Sequence, residues 1–395
     1  MPSLSPPLPR NVRLLGWASF WNDVASEMVY PLLPQFLIVV LGGTRLELGA
    51  IEGVAESVAS LLKLGSGIVS DRLQRRKGLV IAGYLLASLV RPLLGLVQQP
   101  WHVFLLRTSD RIGKGVRTSP RDALIADSTP VDERGRAFGF HRAMDHLGAA
   151  LGPLAAMAFL HFRPDDLRTL FLLTAIPGFI VIGLLLWGLQ EVPRRLSDKP
   201  ALKLNWSQLP SRFRWFLLAL LLFTLGNSSD AFLLVRAGEL GVPPLQLPLL
   251  WLVFHLAKSF GNARLGTWID RIGVRRPVLA GWLVYAVVYL AFGFATSAWH
   301  VWALFLLYAV FYSLTEVAEK KFVSMLVAPE QQGLAFGWFH FAIGIAALPS
   351  SLLFGGLYDA YGPRAAFGWG AALAVLALPP LLLAMSSPRT GPDAT

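Results

Sequence analysis

Cysteine is missing from all 395 residues. Disulfides, thiolate catalysis, iron–sulfur clusters and Cys-ligated zinc are thereby excluded. Charge is scarce too. Asp, Glu, Lys and Arg together make 15% of the chain, against about 25% in soluble domains. Acidic residues are the scarcer sign, 24 against 35 basic ones, for a formal net charge of +11. On a soluble protein that excess would point to nucleic acid. Here 54% of the residues are hydrophobic, so the excess is read as loops facing anionic lipid, with no nucleic-acid partner. The seven His are scattered, and His141 and His146 stand five apart, poorly placed for one metal ion, so no metal site is expected. No Cys nucleophile, zincin His pair or paired-Asp signature appears, so the chain is not expected to be an enzyme or to carry a cofactor. The opening "MPSLSPPLP" reads as a cytoplasmic tail, and the apolar run after it is too long for a signal peptide.

What the chain has is apolar runs. A helix crosses the hydrocarbon core in about 20 residues. Twelve such segments can be drawn: roughly 14–40, 46–70, 78–97, 101–127, 137–160, 168–189, 213–236, 245–268, 277–297, 299–327, 333–358 and 365–386. The 13 Trp, 36 Gly and 27 Pro suit membrane helices with aromatic belts. The polar stretch 190–212 divides the chain. The expected organisation is a tail (1–13), an N-terminal six-helix bundle (14–189), a cytoplasmic linker (190–212), a C-terminal six-helix bundle (213–386) and a second tail (387–395). Alternate loops carry 18 Lys and Arg, the others only Arg45, Arg163, Arg168 and Arg364. The bias places both termini and the linker in the cytoplasm of a multi-pass inner-membrane protein, expected to be a monomer.

The halves repeat. "GIVSDRLQRRK" (67–77) returns as "GTWIDRIGVRRP" (266–277), "WHV" (101–103) at 299–301, and "AFGF" (137–140) as "AFGW" (335–338). Three matches in order at offsets of 198–200 residues indicate parallel repeats related by an axis along the membrane normal. The predicted fold class is an all-α membrane protein, twelve transmembrane helices in two pseudo-symmetric six-helix bundles.

One span breaks the apolar rule. "LLRTSDRIGKGVRTSPRDALIAD" (105–127) places Arg107, Asp110, Arg111, Lys114, Arg117 and Arg121 at steps of three and four, on one helical face. Each basic residue facing lipid at mid-membrane would cost about 2.5–3.5 kcal/mol, so the face must look into the protein or a wet cavity. A Walker loop is excluded because Gly115 follows Lys114. Other in-span charges accompany this face: Asp23 and Glu27 on span one, Glu52, Glu56 and Lys63 on span two, Arg142, Asp145 and His146 on span five. Asp230, Glu316 and Glu319 are the candidates of the second half. Many are expected to be structural ion pairs. So many together imply a hydrated pathway.

These features resemble the major facilitator superfamily of secondary transporters. The 67–77 stretch is similar to the family's loop motif after span two, with Gly67, Asp71, Arg72, Arg75 and Arg76 in place and Gln74 where Gly is usual. Its second copy keeps Gly266, Asp270, Arg271, Arg275 and Arg276. The resemblance implies a conformational latch that favours the outward-facing state when formed. "RIGKG" (111–115) is similar to the span-four motif, which implies a proton-coupling role for Arg111, with Arg107 as the shifted alternative. Gly139, Gly148, Gly152 and Pro153 resemble the span-five motif of antiporters, although Ala156-Met157 replaces its closing Gly-Gly. Small residues there let helices approach closely. "NDVASEMVYPLLPQF" and "VRTSPRDALIAD" resemble a group of bacterial members.

The expected function is proton-coupled export by alternating access, driven by the proton gradient. Asp23, Glu27 and Asp145 are the expected switching acids: a carboxylate that exchanges its arginine partner changes its proton affinity. The thirteen basic residues within spans outnumber about ten carboxylates, so the solute is expected to be a small anion or zwitterion. The alternatives are a proton-coupled importer of an organic anion and, in another class, a non-transporting receptor on the same fold.

Overall fold

The computed structural model describes residues 7–73, 75–130, 134–192, 209–327 and 332–386. These residues are helical, with no strand among them. In the first half, α1 (Arg10–Val29), α2 (Leu33–Gln35) and a π turn (Phe36–Val40) form one broken span. Then come α3 (Arg45–Leu73), α4 (Lys77–Leu93), α5 (Pro100–Asp127) and α6 (Arg134–Phe162), followed by α7 (Leu167–Leu173) and α8 (Ala175–Gly188). The second half holds α9 (Ser211–Gly226), α10 (Ala231–Glu239), α11 (Leu247–Ile272), α12 (Arg275–Phe294) and α13 (Ala298–Met325). It closes with α14 (Gln332–Tyr361), α15 (Pro363–Leu376) and α16 (Leu378–Met385).

Each drawn segment is helical along most of its length. The helices overrun several of them: α1 starts at Arg10, directly after Pro9, and α3 and α11 continue into the charged motifs that hydropathy had assigned to loops. Nine helical segments among the described residues are long and apolar enough to cross a membrane. The helices α3, α5 and α11 are the charged ones, with 29, 28 and 26 residues. At 1.5 Å per residue each is about 40 Å long.

The repeat is visible in the packing. Helix α1 packs on α6 and α8 as α9 packs on α14 and α16. The pairs α3–α5 and α4–α5 recur as α11–α13 and α12–α13. The two halves meet along α3–α14 and α6–α11. Small residues set the distances. A side chain on Gly83 of α4 or Gly113 of α5 would strike the other helix's backbone. Gly49 and Gly53 of α3 likewise lie against Ser351 and Leu348 of α14.

Below, the near face is the one at which α1 begins, and the far face is its opposite. On the far face α3 begins with a capping box. The N–H of Glu47 donates to Thr44 Oγ1 at 3.0 Å, and Glu47 Oε2 accepts from the N–H of Thr44 at 2.7 Å. On the near face Glu191 accepts from the N–H groups of Arg76 and Lys77 at 2.9 and 3.0 Å, which satisfies the first turn of α4.

Candidate functional site

Two spans are interrupted at matching places. The first breaks at Tyr30–Leu32, between α1 and α2, beside Pro31 and Pro34. The seventh breaks at Asn227–Asp230, between α9 and α10. The breaks are one repeat offset apart, and they face each other, with the Tyr30 hydroxyl against Ser229. Unwound backbone at membrane depth is tolerated where protein or water satisfies it, and paired interruptions of this kind mark binding sites between repeats.

Charge surrounds the break of the first half. Arg107 grips Glu52 through two hydrogen bonds, Nε to Oε1 at 2.8 Å and Nη2 to Oε2 at 3.1 Å, and its guanidinium lies 5.0 Å from the Tyr30 ring centre. Asp110 takes Arg91 at 2.8 Å, with Arg107 at 3.8 Å and Arg111 at 4.0 Å. Arg91 also donates to the carbonyl of Asn22 at 2.9 Å, which ties the network to α1. Arg117 is buried, stacked 4.4 Å over Tyr84, and its Nε and Nη1 have no hydrogen-bond partner among the described residues. Arg121 pairs with Asp122 at 2.8 Å. The polar face of α5 therefore looks into the protein, as its periodicity predicted.

Helix α6 brings α1 into this network. Gly148 and Gly152 lie directly on α1, against Phe20 and Val24, with the Cβ atoms of Asp23 and Glu27 beside them. Two glycines of the antiporter-like motif thus set the positions of two carboxylates. Asp23 accepts from Asn22 at 2.8 Å. Glu27 accepts from the indole N–H of Trp251 on α11, also at 2.8 Å, which links the halves at mid-span. Asp145 accepts from Ser19, with His141 at 3.5 Å and the exposed Arg142 at 3.6 Å. Pro153 lies within α6.

The second half answers with aromatic rings. Asp230 accepts from Tyr308 at 2.7 Å and Tyr312 at 3.2 Å. The ammonium of Lys258 sits 3.8 Å over the Tyr312 ring and 5.1 Å over Phe254. Tyr285 and Tyr289 stack behind them, with centroids 4.1 Å apart. Glu319 accepts from the Trp282 indole at 2.8 Å, away from Asp230.

Toward the near face several ionisable side chains among the described residues reach the surface. Glu56, Arg142, His146, Glu316, Lys320 and His340 are exposed, and Lys63 and Lys114 half-buried. His340 of α14 lies within electrostatic reach of Lys63 and Glu56 on α3 and of Lys320 on α13, so charged groups of both halves lie near one another there. Arg111 and Lys114 act on Glu56 in the same region.

The far face is clasped. Arg45, at the start of α3, pairs with Glu239 at 2.5 Å and with Asp359 at 3.6 Å. Glu239 also takes Arg236 at 3.2 Å and the hydroxyl of Tyr358 at 2.6 Å. Asp359 accepts from the backbone N–H groups of Arg45 and Leu46 at 3.3 and 2.7 Å, so a residue of the second half completes the cap of a helix in the first. In the sequence Arg45 falls in a loop between apolar segments, and no local signal marks Glu239 or Asp359. Lys258 is legible only as an in-span cation, and no local pattern marks Tyr30, Trp251 or the two tyrosines on Asp230. Only the matched breaks left a trace, in Pro31, Pro34 and "NSSD".

Of the latch motif, Gly67 lies against Ser119 of α5, and Arg76 pairs with Asp127 at the end of α5. Arg75, Arg275 and Arg276 are exposed. The side chains of Asp71, Arg72, Asp270 and Arg271, the surroundings of Gly139 and Gly266, and most of the expected linker lie outside the described residues. Among the described residues no group of three or more metal-ligating side chains comes together.

The model of the Major Facilitator Superfamily matches residues 15–253 and 216–395. The uncharacterized MFS-type transporter MJ1317 of Methanocaldococcus jannaschii is 33% identical over 378 residues, covering 93% of both chains. The multidrug resistance protein MdtH of Cronobacter sakazakii is 24% identical over 84% of this chain and 83% of its own. The solved structure of the nucleoside transporter NupG superposes with a TM-score of 0.78 over 95% of this chain and 100% of its own, at 13% identity, a likeness of fold.

Proposed function

The chain belongs to the Major Facilitator Superfamily, as a multi-pass secondary transporter, and from that premise we propose that it exports a small anionic or zwitterionic solute in exchange for protons. The twelve spans form two bundles, with both termini and the linker in the cytoplasm, and the bundles rock about the facing breaks of spans one and seven. One observation carries this reading. The far-face ends are clasped through Arg45, Glu239 and Asp359, whereas Arg142, His146 and Lys320, in the near-face half, are exposed. A site gripped on one side and open on the other is one arm of an alternating-access cycle, the one that faces the cytoplasm.

The solute enters from the near face, past Arg111 and Lys114, and reaches Tyr30, Asp230 and Lys258. Of these cations, Arg111 comes no nearer to Asp110 than 4.0 Å, and Lys258 rests on aromatic rings, so a ligand carboxylate or phosphate has room to pair with them. Asp23, Glu27 and Asp145 sit on the α1–α6 contact, where a change of proton and a change of packing meet. Coupling runs through them, with Arg111 as the modulating cation.

The test is transport in proteoliposomes under an imposed pH gradient, with solutes first found by thermal shift among anions, sugars and drugs. A bound ligand at 100 times its dissociation constant stabilises by about 2.7 kcal/mol. Uphill solute movement against the proton flow supports export. Solute and protons moving together make the chain a symporter. Binding without flux makes it a receptor, and flux indifferent to pH removes the coupling.

A further inference from the structure

A groove of about 630 Å³ lies between α9 and α14, away from the facing breaks. Its walls are Leu218 and Leu221 on one helix and Phe341 and Ile345 on the other, with Ser211 and Arg214 at the near-face end. Volumes of about 300–1,000 Å³ are those of sites that hold small ligands. The lining runs from residue 211 to residue 221 of α9, which at 1.5 Å per residue is about 15 Å. That is half of the roughly 30 Å hydrocarbon core, the depth of one leaflet.

The internal repeat sets the groove against the corresponding contact of the first half. An offset of 198 residues relates Phe140 of α6 to Trp338 of α14, and α1 and α9 are the helices these two pack against or face. In the first half Gly16 lies directly against the Phe140 ring and beside Met144, and α1 and α6 close together over that contact. In the second half Arg214 and Trp338 both line a gap between α9 and α14. Gly148 and Gly152, which draw α6 onto α1, become Ala346 and Ser350. Arg214 is exposed, and its side chain makes no ion pair or hydrogen bond among the described residues.

We propose that this groove holds one acyl chain of an anionic phospholipid from the near-face leaflet, with its phosphate on Arg214 and Ser211. The occupant follows from the shape and the charge: an apolar slot one leaflet deep, ending in a cation at headgroup level. A soluble anion would not fill the slot, and a zwitterionic lipid would gain little from the arginine. Bound there, the lipid wedges between two helices of the bundle that must move as a unit.

The experiment uses the full chain in nanodiscs of phosphatidylcholine with or without phosphatidylglycerol. Phosphatidylglycerol is expected to raise the unfolding temperature of the wild type by several degrees, and Arg214→Gln to remove most of that gain while leaving the value in pure phosphatidylcholine unchanged. Brominated phosphatidylglycerol is expected to quench the fluorescence of the tryptophans lining the groove, and the double variant Trp215→Phe/Trp338→Phe to lose that component. Equal gains in wild type and Arg214→Gln would overturn the proposal, and so would unchanged quenching in the double variant. Inorganic phosphate reproducing the whole shift would overturn the acyl-chain assignment. None of these readouts involves flux, so they stand apart from the test of transport.

Discussion

The two halves share helix order and packing partners but are filled differently. The first half buries charge: Glu52, Arg91, Arg107, Asp110, Arg117 and Arg121 are all under 10% exposed. The second half buries rings: Trp282, Tyr285, Tyr289 and Tyr308 are under 2% exposed, and its charged centre shrinks to Asp230 and Lys258. The lesson concerns cost. A buried ion network holds one geometry because any displaced partner leaves an uncompensated charge. Stacked rings form a large apolar wall that tolerates small shifts while keeping hydroxyls at fixed points. The first half is built to be all-or-none, and the second to adapt its surface.

The comparison can be broken most directly at Glu52. Glu52→Ala strands Arg107 and is expected to destabilise the protein by about 3–5 kcal/mol, read from thermal unfolding in detergent. The double variant Glu52→Leu/Arg107→Met should recover most of that loss. A single variant as stable as the wild type would show that the first half does not depend on its ions. In the second half Tyr308→Phe removes one hydrogen bond to a carboxylate and is expected to cost about 1.5–3 kcal/mol, with Tyr312 still holding Asp230. A larger loss than at Glu52 would reverse the assignment of rigid and adaptable halves. The smallest effect is expected at the seam between them. Arg45→Gln removes a half-exposed pair worth about 0.2–1 kcal/mol, too little to unfold the chain. It should still favour opening at the far face, seen as faster thiol labelling of a Gln35→Cys probe, for which the cysteine-free background is already prepared.

How much of this was legible beforehand depends on the range of the interaction. Helix positions were readable, because apolar runs of membrane length have few other fates. The inward face of α5 was readable from steps of three and four. The partners were not. Arg91 meets Asp110 only because Gly83 and Gly113 let α4 and α5 touch, and that register is a tertiary fact. The pairing of Tyr30 with Ser229 needed both breaks to be recognised as breaks, and proline in a membrane span is too common to announce one. Arg45 and Asp359 stand 314 residues apart and carry no local pattern. The sequence resemblance led instead to a latch whose acidic side chains fall outside the described part.

The shared cap of α3 has a consequence in time as well as in space. While the far mouth is shut, Asp359 occupies the backbone amides of Arg45 and Leu46; once it parts, those two amides meet water. Their deuterium uptake is therefore a built-in clock for the dwell time of the closed mouth, readable without any label and before a single solute has been identified.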